Sequence, residues 1–130
     1  MKGFIQNIDA LTTENNDFRR VLYTSRNSQL VLMSLKPHEQ IGEEIHTLDQ
    51  FFRVEAGTGS AILDGVRTAI EPGFAVLVPA GTLHNIINTG ETSMKVYTIY
   101  APPNHRDGVV HHTRGDAEKA DEHYDGKTTE

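Results

Sequence analysis

Four side chains that can bind a divalent metal ion lie in two separate parts of this chain. Glu44, His46 and Gln50 follow one another closely, and His84 stands further along the sequence. Imidazole nitrogens combined with carboxylate and amide oxygens are donors that suit Zn²⁺, Fe²⁺, Mn²⁺, Ni²⁺ or Cu²⁺. If the fold brings the two parts together, the sequence predicts a metal site with these four residues as ligands.

The spacing of the first three residues indicates which side chains share a face. Side chains alternate between the two faces of a strand, so Glu44 and His46 point to one side and Glu43 to the other. Gln50 keeps that side if a tight turn or a bulge connects it to His46. We therefore expect Gln50 either to bind the ion directly or to orient His46 or a bound water.

The charge of these residues predicts which ligands the site attracts. Among the four, Glu44 alone carries a formal charge, so a divalent ion would leave the site net positive. A cationic site favours an anionic or enolate-like oxygen ligand, or acidifies a bound water. A histidine taken alone is more often a hydrogen-bonded structural residue, so the metal interpretation depends on His46 and His84 acting together.

Short runs of β-branched and aromatic residues, closed by Gly, Pro, Asn or Asp, predict the elements that position these side chains. Asp64-Gly65 is the strongest hairpin signal, since a two-residue turn with positive φ angles favours that pair. Closely spaced short strands without a long helical period are typical of an all-β sandwich or barrel. The predicted strands are Arg20 to Tyr23, Gln29 to Leu35, Phe51 to Glu55, Ser60 to Leu63, Arg67 to Ile70, Ala75 to Val78, His84 to Asn88 and Met94 to Tyr100.

Two sequence motifs, spanning roughly residues 28 to 101, resemble those of the cupin family. The second motif of that family has Gly, Pro, Gly, His and Asn at set spacings, here filled by Gly73, Pro79, Gly81, His84 and Asn88. The first motif has two histidines, a glutamate and a glycine, and the same frame here holds Glu44, His46, Gln50 and Gly57. The spacing is therefore retained, while two of the usual ligand types are changed.

The resemblance implies a fold and a set of functional expectations. The implied fold is a single-domain jelly-roll barrel, or double-stranded β-helix, with Glu44, His46, Gln50 and His84 as the metal ligands. Small members of the family are often grouped with mannose-6-phosphate isomerase, and single-domain members include dioxygenases. The resemblance also implies a homodimer. We therefore expect a metal-dependent enzyme that acts on a small oxygen-rich metabolite.

Three functional interpretations stay open at this point. A sugar-phosphate isomerase needs a cationic clamp for its phosphate, and Arg53, Arg67 and Lys95 are the available cations. A dioxygenase uses two histidines and one carboxylate around a redox metal. A non-catalytic module that senses a metabolite or metal would show apolar walls without a nearby acid or base. Tyr97 and Tyr100, with Arg53 and Lys95, contact substrate if they face inward.

Composition excludes several other classes of function. The 130 residues fit one domain, and the net charge of −6, without a Lys/Arg cluster, argues against a nucleic acid or an anionic membrane as partner. The chain has no cysteine, which excludes disulfides, thiolate catalysis and cysteine zinc sites. The first residues lack the apolar run of a signal peptide, so we expect a cytoplasmic protein.

Beyond Pro102-Pro103 the chain becomes polar, acidic and rich in histidine. We therefore divide it into a barrel with N-terminal strands, residues 1–103, and a C-terminal tail, residues 104–130. A short helix is expected from Asp116 to His123, capped by Asp116. The tail histidines suggest either a second metal site or a solvated arm that crosses the barrel or a neighbouring subunit, and the missing strand framework favours the arm. These histidines are His105, His111, His112 and His123.

Overall fold

The computed structural model describes residues 2–130, and its regular elements are almost all strands. Each of the eight predicted strands is present, with bounds that differ by two residues or fewer from those expected. The first helix and the last strand were not predicted. In chain order the elements are α1 Ile8–Glu14, β1 Arg19–Thr24, β2 Gln29–Leu35, β3 Asp49–Ala56, β4 Gly59–Leu63, β5 Val66–Ile70, β6 Ala75–Val78, β7 His84–Asn88, β8 Met94–Ala101, β9 Val110–His111 and α2 Arg114–Lys119.

The strands form two antiparallel sheets that enclose one apolar core. One sheet has six strands in the order β6-β3-β8-β2-β1-β9, and the other has three in the order β5-β4-β7. This arrangement confirms the prediction of an all-β barrel with a short C-terminal helix. Neither helix of residues 2–130 has the length and apolar character that crossing a bilayer requires.

Strand β3 shows how the sequence pattern selects the inner face. Gln50, Phe52 and Val54 are each at most 3% exposed, whereas Phe51 and Arg53 are only partly buried. Burying a large apolar side chain stabilises a fold by roughly 1.5–3 kcal/mol. The alternation therefore fixes the register of β3, and with it the inward direction of Gln50.

The Asp64-Gly65 turn confirms the predicted hairpin and also holds the start of β7. Both residues have positive φ angles, 47° and 82°, as the two-residue turn requires. The Asp64 backbone N–H donates to the Leu83 carbonyl at 2.8 Å, and the Leu83 N–H donates back to Asp64 Oδ1 at 3.1 Å. The turn therefore anchors the residue that precedes His84.

The C-terminal segment folds back across the barrel. The side chain of Gln29 accepts from the His105 N–H at 2.9 Å and donates to the His105 carbonyl at 2.7 Å, and it is 1% exposed. Strand β9 then pairs with β1, with His111 opposite Arg19. The segment is therefore packed on the barrel through side-chain and backbone hydrogen bonds.

The expected helix from Asp116 to His123 begins and ends earlier than predicted. It spans Arg114–Lys119, because the Thr113 hydroxyl caps it by accepting from the Asp116 N–H at 3.0 Å. Asp116 is therefore not the cap. It lies in the first turn, where its negative charge interacts favourably with the helix dipole.

Gly59, at the start of β4, is a position where the close approach of the neighbouring strand β7 demands a glycine. A Cβ at this position would lie 2.2 Å from the Ile87 carbonyl oxygen. We expect Gly59→Ala to lower the free energy of unfolding by at least about 2 kcal/mol, because backbone must move to make room. Gly115→Ala is the matched control, since its Cβ would meet nothing closer than 3.8 Å. Urea unfolding measures both, and equal stability of the two variants would contradict the expectation.

Candidate metal centre

The two ligand-bearing parts of the chain meet through their backbones. Glu44 and His84 form an antiparallel bridge, with N–H to carbonyl distances of 2.9 and 3.0 Å in the two directions. Residues paired in this way place their side chains on the same side. His46 follows two residues later, and its carbonyl accepts from the Gly81 N–H at 2.8 Å. One donor atom each of Glu44, His46 and His84 therefore lies within 4.8 Å of the others.

Glu44 and His46 do not lie in a regular strand, and a bend separates them from Gln50, in agreement with the turn or bulge that the sequence analysis required. Strand β3 begins at Asp49, and Glu44 makes one isolated bridge, since the chain bends at Thr47 and Leu48. The predicted parity is nevertheless kept. Glu44 and His46 are partly buried, while Glu43 and Ile45, on the alternate side, are exposed.

Two buried atoms in this cluster lack hydrogen-bond partners. His46 Nε2 lies 2.6 Å from Glu44 Oε2, but the contact lacks the direction of an imidazole N–H bond, and Nε2 has no partner. Gln50 Nε2 donates to Thr98 Oγ1 at 3.0 Å, while Gln50 Oε1 is buried without a donor. Leaving such a polar atom unsatisfied costs about 1–3 kcal/mol. A cation that accepts both lone pairs removes that cost, so the donor set fits a divalent metal ion.

The tautomer of His84 also fits metal binding. Its Nδ1 lies 2.9 Å from the Thr82 carbonyl oxygen, which can only accept, so Nδ1 carries the proton. Nε2 then presents its lone pair. The ring centroids of His84 and His46 are 5.3 Å apart. A backbone acceptor on the far nitrogen is the usual way that a protein orients a metal-binding imidazole.

Glu44 is ionised at neutral pH despite partial burial. Burial alone raises the pKa of Glu44, but the adjacent His46 and the positive charge of Arg19 outweigh it and hold the pKa below its ordinary value. The carboxylate is thus available as an anionic ligand. Gln50 pairs across the sheet with Tyr100, whose ring centroid lies 5.9 Å from that of His46. Direct ligation by Gln50 stays a prediction.

Two residues of the cluster border a cavity of about 390 Å³ that the C-terminal segment helps to wall. Glu44 and His46 line it from the barrel, and His105, His111 and Glu122 line it from the segment. The interpretation of the tail as a solvated arm is therefore wrong for His105 and His111, each 8% exposed. The two remaining tail histidines, 112 and 123, are exposed as expected.

His105 and Glu122 form an acid–base pair in the cavity wall. His105 Nδ1 lies 2.5 Å from Glu122 Oε1, and the Arg106 N–H donates to Glu122 Oε2 at 2.8 Å. The other ring nitrogen, Nε2, lies 3.3 Å from the hydroxyl of Tyr100. Because the carboxylate accepts from Nδ1, a neutral His105 directs its Nε2 lone pair at the tyrosine.

Burial and hydrogen bonds together determine the protonation of His105, Glu122 and Tyr100. Burial lowers the pKa of His105 more than Glu122 raises it, which favours a neutral imidazole. Although burial raises the pKa of Glu122, the His105 and Arg106 N–H groups outweigh it and lower the pKa to about 2. Burial raises the pKa of Tyr100 to about 12. At neutral pH the wall therefore holds an uncharged base and a carboxylate, and the buried phenol that contacts the base is protonated.

Of the residues proposed as substrate contacts, Tyr100 faces the interior and the others do not reach the cavity. Tyr100 is 2% exposed, whereas Tyr97 packs on the outer face with its ring 6.2 Å from that of Phe51. Lys95 is buried, but it donates to the Asn15 carbonyl and Ser34 Oγ. The signal that separates Tyr100 from its neighbours is its parity with Met94, Val96 and Thr98, which are all buried along β8.

Three residues of the cavity wall escaped the sequence analysis. They are Arg19, His105 as a buried base, and Glu122. Sequence alone offers no signal for them, because their place depends on long-range contacts of the C-terminal segment: His111 with Arg19 on β1, and His105 with Gln29 on β2. Among residues 2–130, Glu44, His46 and His84 form the one cluster of three acidic or imidazole side chains with metal-binding geometry.

Comparison with known proteins gives a consistent family assignment. The Cupin domain model matches residues 31–100, more than half of the chain. The uncharacterised protein YrkC of Bacillus subtilis is 45% identical over 128 residues, which cover 93% of this chain and 69% of that protein. The crystal structure of BH2720 from Bacillus halodurans is 43% identical, with a TM-score of 0.90, and the match covers 92% of this chain and 96% of that one.

A more distant structure supports the fold alone. An RmlC-like cupin from Shewanella frigidimarina is 19% identical, with a TM-score of 0.60, and the match covers 65% of this chain and 74% of that one. The path of the barrel strands is thus shared with a protein of low sequence identity.

The His105–Glu122 pair predicts a pH dependence of stability. A carboxyl group whose pKa is lowered on folding stabilises the fold above its ordinary pKa of 4.5, and the contribution is lost as the pH falls toward about 2. We therefore expect Glu122→Gln to be less stable than the wild type at pH 7, on the order of 2 kcal/mol, and to approach it only near pH 2.

Urea unfolding of metal-free protein at both pH values measures this difference. Glu118→Gln is the control, because that side chain is 59% exposed on α2 and its loss should cost little at either pH. A stability difference for Glu122→Gln that is the same at both pH values would show that the carboxylate contributes no charge-dependent stabilisation.

Proposed function

The chain belongs to the cupin family, and from that premise we propose that it is a metal-dependent enzyme acting on a small oxygen-rich molecule. Glu44, His46 and His84, with Gln50 beside them, would hold a divalent ion. One observation carries the proposal: His46, whose Nε2 has no hydrogen-bond partner, lines the same cavity as the His105–Glu122 pair. A metal store or sensor has no need for such a pair.

The residues of the wall support proton transfer as the reaction. A bound divalent ion would supply Lewis-acid polarisation of a substrate oxygen. His105 Nε2 can then receive the proton that leaves a carbon next to a carbonyl group, through the Tyr100 hydroxyl that faces it. The C–H electron pair forms an enediolate whose charge lies on the former carbonyl oxygen. If the deprotonated carbon carries a hydroxyl, transfer of that hydroxyl proton to the former carbonyl oxygen and return of the first proton to the former carbonyl carbon complete an isomerisation. Glu122 holds the imidazole in the tautomer that this step requires.

A sugar-phosphate substrate is the less favoured member of this class. Arg53 lies 3.6 Å from Glu55, Arg67 contacts Ser60 Oγ at 3.3 Å, and Lys95 is engaged by Ser34 and Asn15. None of the three lines the cavity. The cationic clamp that a phosphate needs is therefore not supplied by the residues expected to form it.

Dioxygenase chemistry is the second candidate function. Two imidazoles and one carboxylate, as in His46, His84 and Glu44, are the ligand set of non-haem iron oxygenases. This candidate uses the same site with a redox metal, and it differs from the first in requiring O₂ and Fe²⁺.

The homodimer implied by the family resemblance stays a prediction. It is supported by apolar side chains on the neighbouring strands β5 and β6, where Val66 and Leu77 are 68% and 65% exposed. The cytoplasmic location also stays a prediction.

Metal binding is expected to depend on Glu44 but not on its neighbour. Protein purified without an affinity tag should bind an ion stoichiometrically, and Glu44→Gln or His84→Ala should abolish most of that binding. Glu43→Gln is the matched control, because Glu43 is exposed and points to the other side. Elemental analysis measures the content. A ligand at a hundredfold excess over its Kd stabilises the fold by about 2.7 kcal/mol, so thermal unfolding gives a second readout. Equal metal content in Glu44→Gln and wild type would contradict the site.

Proton transfer can be detected without knowing the product. We expect metal-loaded protein, incubated in D₂O with a panel of small hydroxy and oxo compounds, to replace a carbon-bound proton by deuterium, which proton NMR detects. His105→Asn should lose this exchange while keeping its metal, because the base is removed and the ligands remain. His112→Asn is the control, since that histidine lies in the same segment but is exposed. Substrate loss that requires Fe²⁺ and O₂, without deuterium exchange, would instead favour the dioxygenase.

A further inference from the structure

Arg19 brings a buried positive charge to the cavity. It is 7% exposed on β1 and lines the same cavity as Glu44 and His46. Its Nε is buried without a hydrogen-bond partner, and no carboxylate among residues 2–130 forms an ion pair with it. A buried charge is costly unless an opposite charge and hydrogen bonds compensate it. The guanidinium group is therefore left without an anion in direct contact.

The guanidinium group is held in a fixed orientation. Its Nη1 lies 3.2 Å from His111 Nδ1, and its Cζ lies 5.3 Å from the centre of the Phe18 ring. A guanidinium can only donate, so His111 Nδ1 must accept and the imidazole is neutral. Burial and the charge of Arg19 both lower the pKa of His111, which keeps it in that state. Little side-chain entropy is left for a ligand to remove.

We propose that Arg19 binds the carboxylate of a small organic anion whose second oxygen, a hydroxyl or carbonyl, faces the Glu44–His46–His84 cluster. With Nη1 engaged by His111, the Nε–Nη2 edge is the side of the guanidinium that matches the two oxygens of a carboxylate. This inference rests on the proposed function, since it names the substrate class of the same site.

The charges of the cavity favour an anion of low charge. Arg114, also in the wall, is neutralised by Glu118 at 2.7 Å. A divalent ion together with Arg19 outweighs the carboxylates of Glu44 and Glu122, so one further negative charge balances the site. A phosphate dianion would need more cationic donors than Arg19 supplies. The volume of about 390 Å³ is suited to a molecule of metabolite size.

Glycolate, glycolamide and methyl phosphate distinguish these ligand chemistries. Glycolate carries the carboxylate and a hydroxyl, glycolamide is its neutral counterpart, and methyl phosphate is an alternative anion. We expect metal-loaded wild type to bind glycolate more tightly than the other two, as measured by titration calorimetry. Tighter binding of methyl phosphate that also depends on Arg19 would overturn the assignment to carboxylates.

Two neighbouring arginines provide matched variants. Arg19→Met should weaken glycolate binding at least about tenfold while the metal content is unchanged, because one charged fork is lost. Arg19→Lys should fall between the two, since it keeps the charge but not the fork. Arg20→Met should bind as the wild type does, because Arg20 is exposed and pairs with Asp17 at 3.3 Å. Wild-type affinity in a folded, metal-loaded Arg19→Met protein would overturn the inference.

A measurement on the wild type keeps the inference testable if Arg19→Met fails to fold. The Arg19 Nε–H signal, assigned by its loss in Arg19→Lys, should shift downfield in ¹H–¹⁵N NMR when glycolate is added. An unchanged signal at saturating glycolate overturns the role of Arg19. If the protein takes up no metal yet this shift persists, the proposed metal-dependent function fails while the anion site stands.

Discussion

One short backbone pairing holds the candidate centre together. The reciprocal hydrogen bonds between Glu44 and His84 join the two motif-bearing parts of the chain and turn a carboxylate and an imidazole to the same side. His46 follows in the same parity and is fixed by Gly81. Without this pairing the metal-binding side chains would lie on unconnected loops, and nothing would hold them close enough to share one ion.

The C-terminal segment packs over the barrel and adds titratable side chains to the cavity that Glu44 and His46 line. Gln29, buried in the barrel, satisfies the backbone around His105, so the segment can be ordered although it is polar. The two buried histidines of the segment have different partners. His105 is held by Glu122 and faces Tyr100, while His111 accepts from Arg19. The proton-accepting imidazole and the partner that orients Arg19 thus come from a part of the chain outside the two motifs.

Two buried cations show how hydrogen bonding separates structure from function. Lys95 is surrounded by oxygen acceptors, including Ser34 Oγ at 3.0 Å, so its burial is compensated within the fold. Arg19 has one neutral imidazole partner and a buried Nε without any. Lys95 ties α1 and its following loop to the barrel. Arg19, in contrast, is a positive charge in the wall of the metal cavity that no anion contacts directly.

The sequence by itself determined the strands, the Asp64-Gly65 hairpin, the family and the pairing of Glu44 with His46, because these follow from local alternation and fixed motif spacing. It placed Gln50 on the inner face for the same reason. Only the tertiary structure decided that the tail is buried at His105, and that Arg19 meets His111 although 92 residues separate them. Strand periodicity specifies two faces, but it does not say which distant segment covers each face, since that depends on packing between residues far apart in the chain.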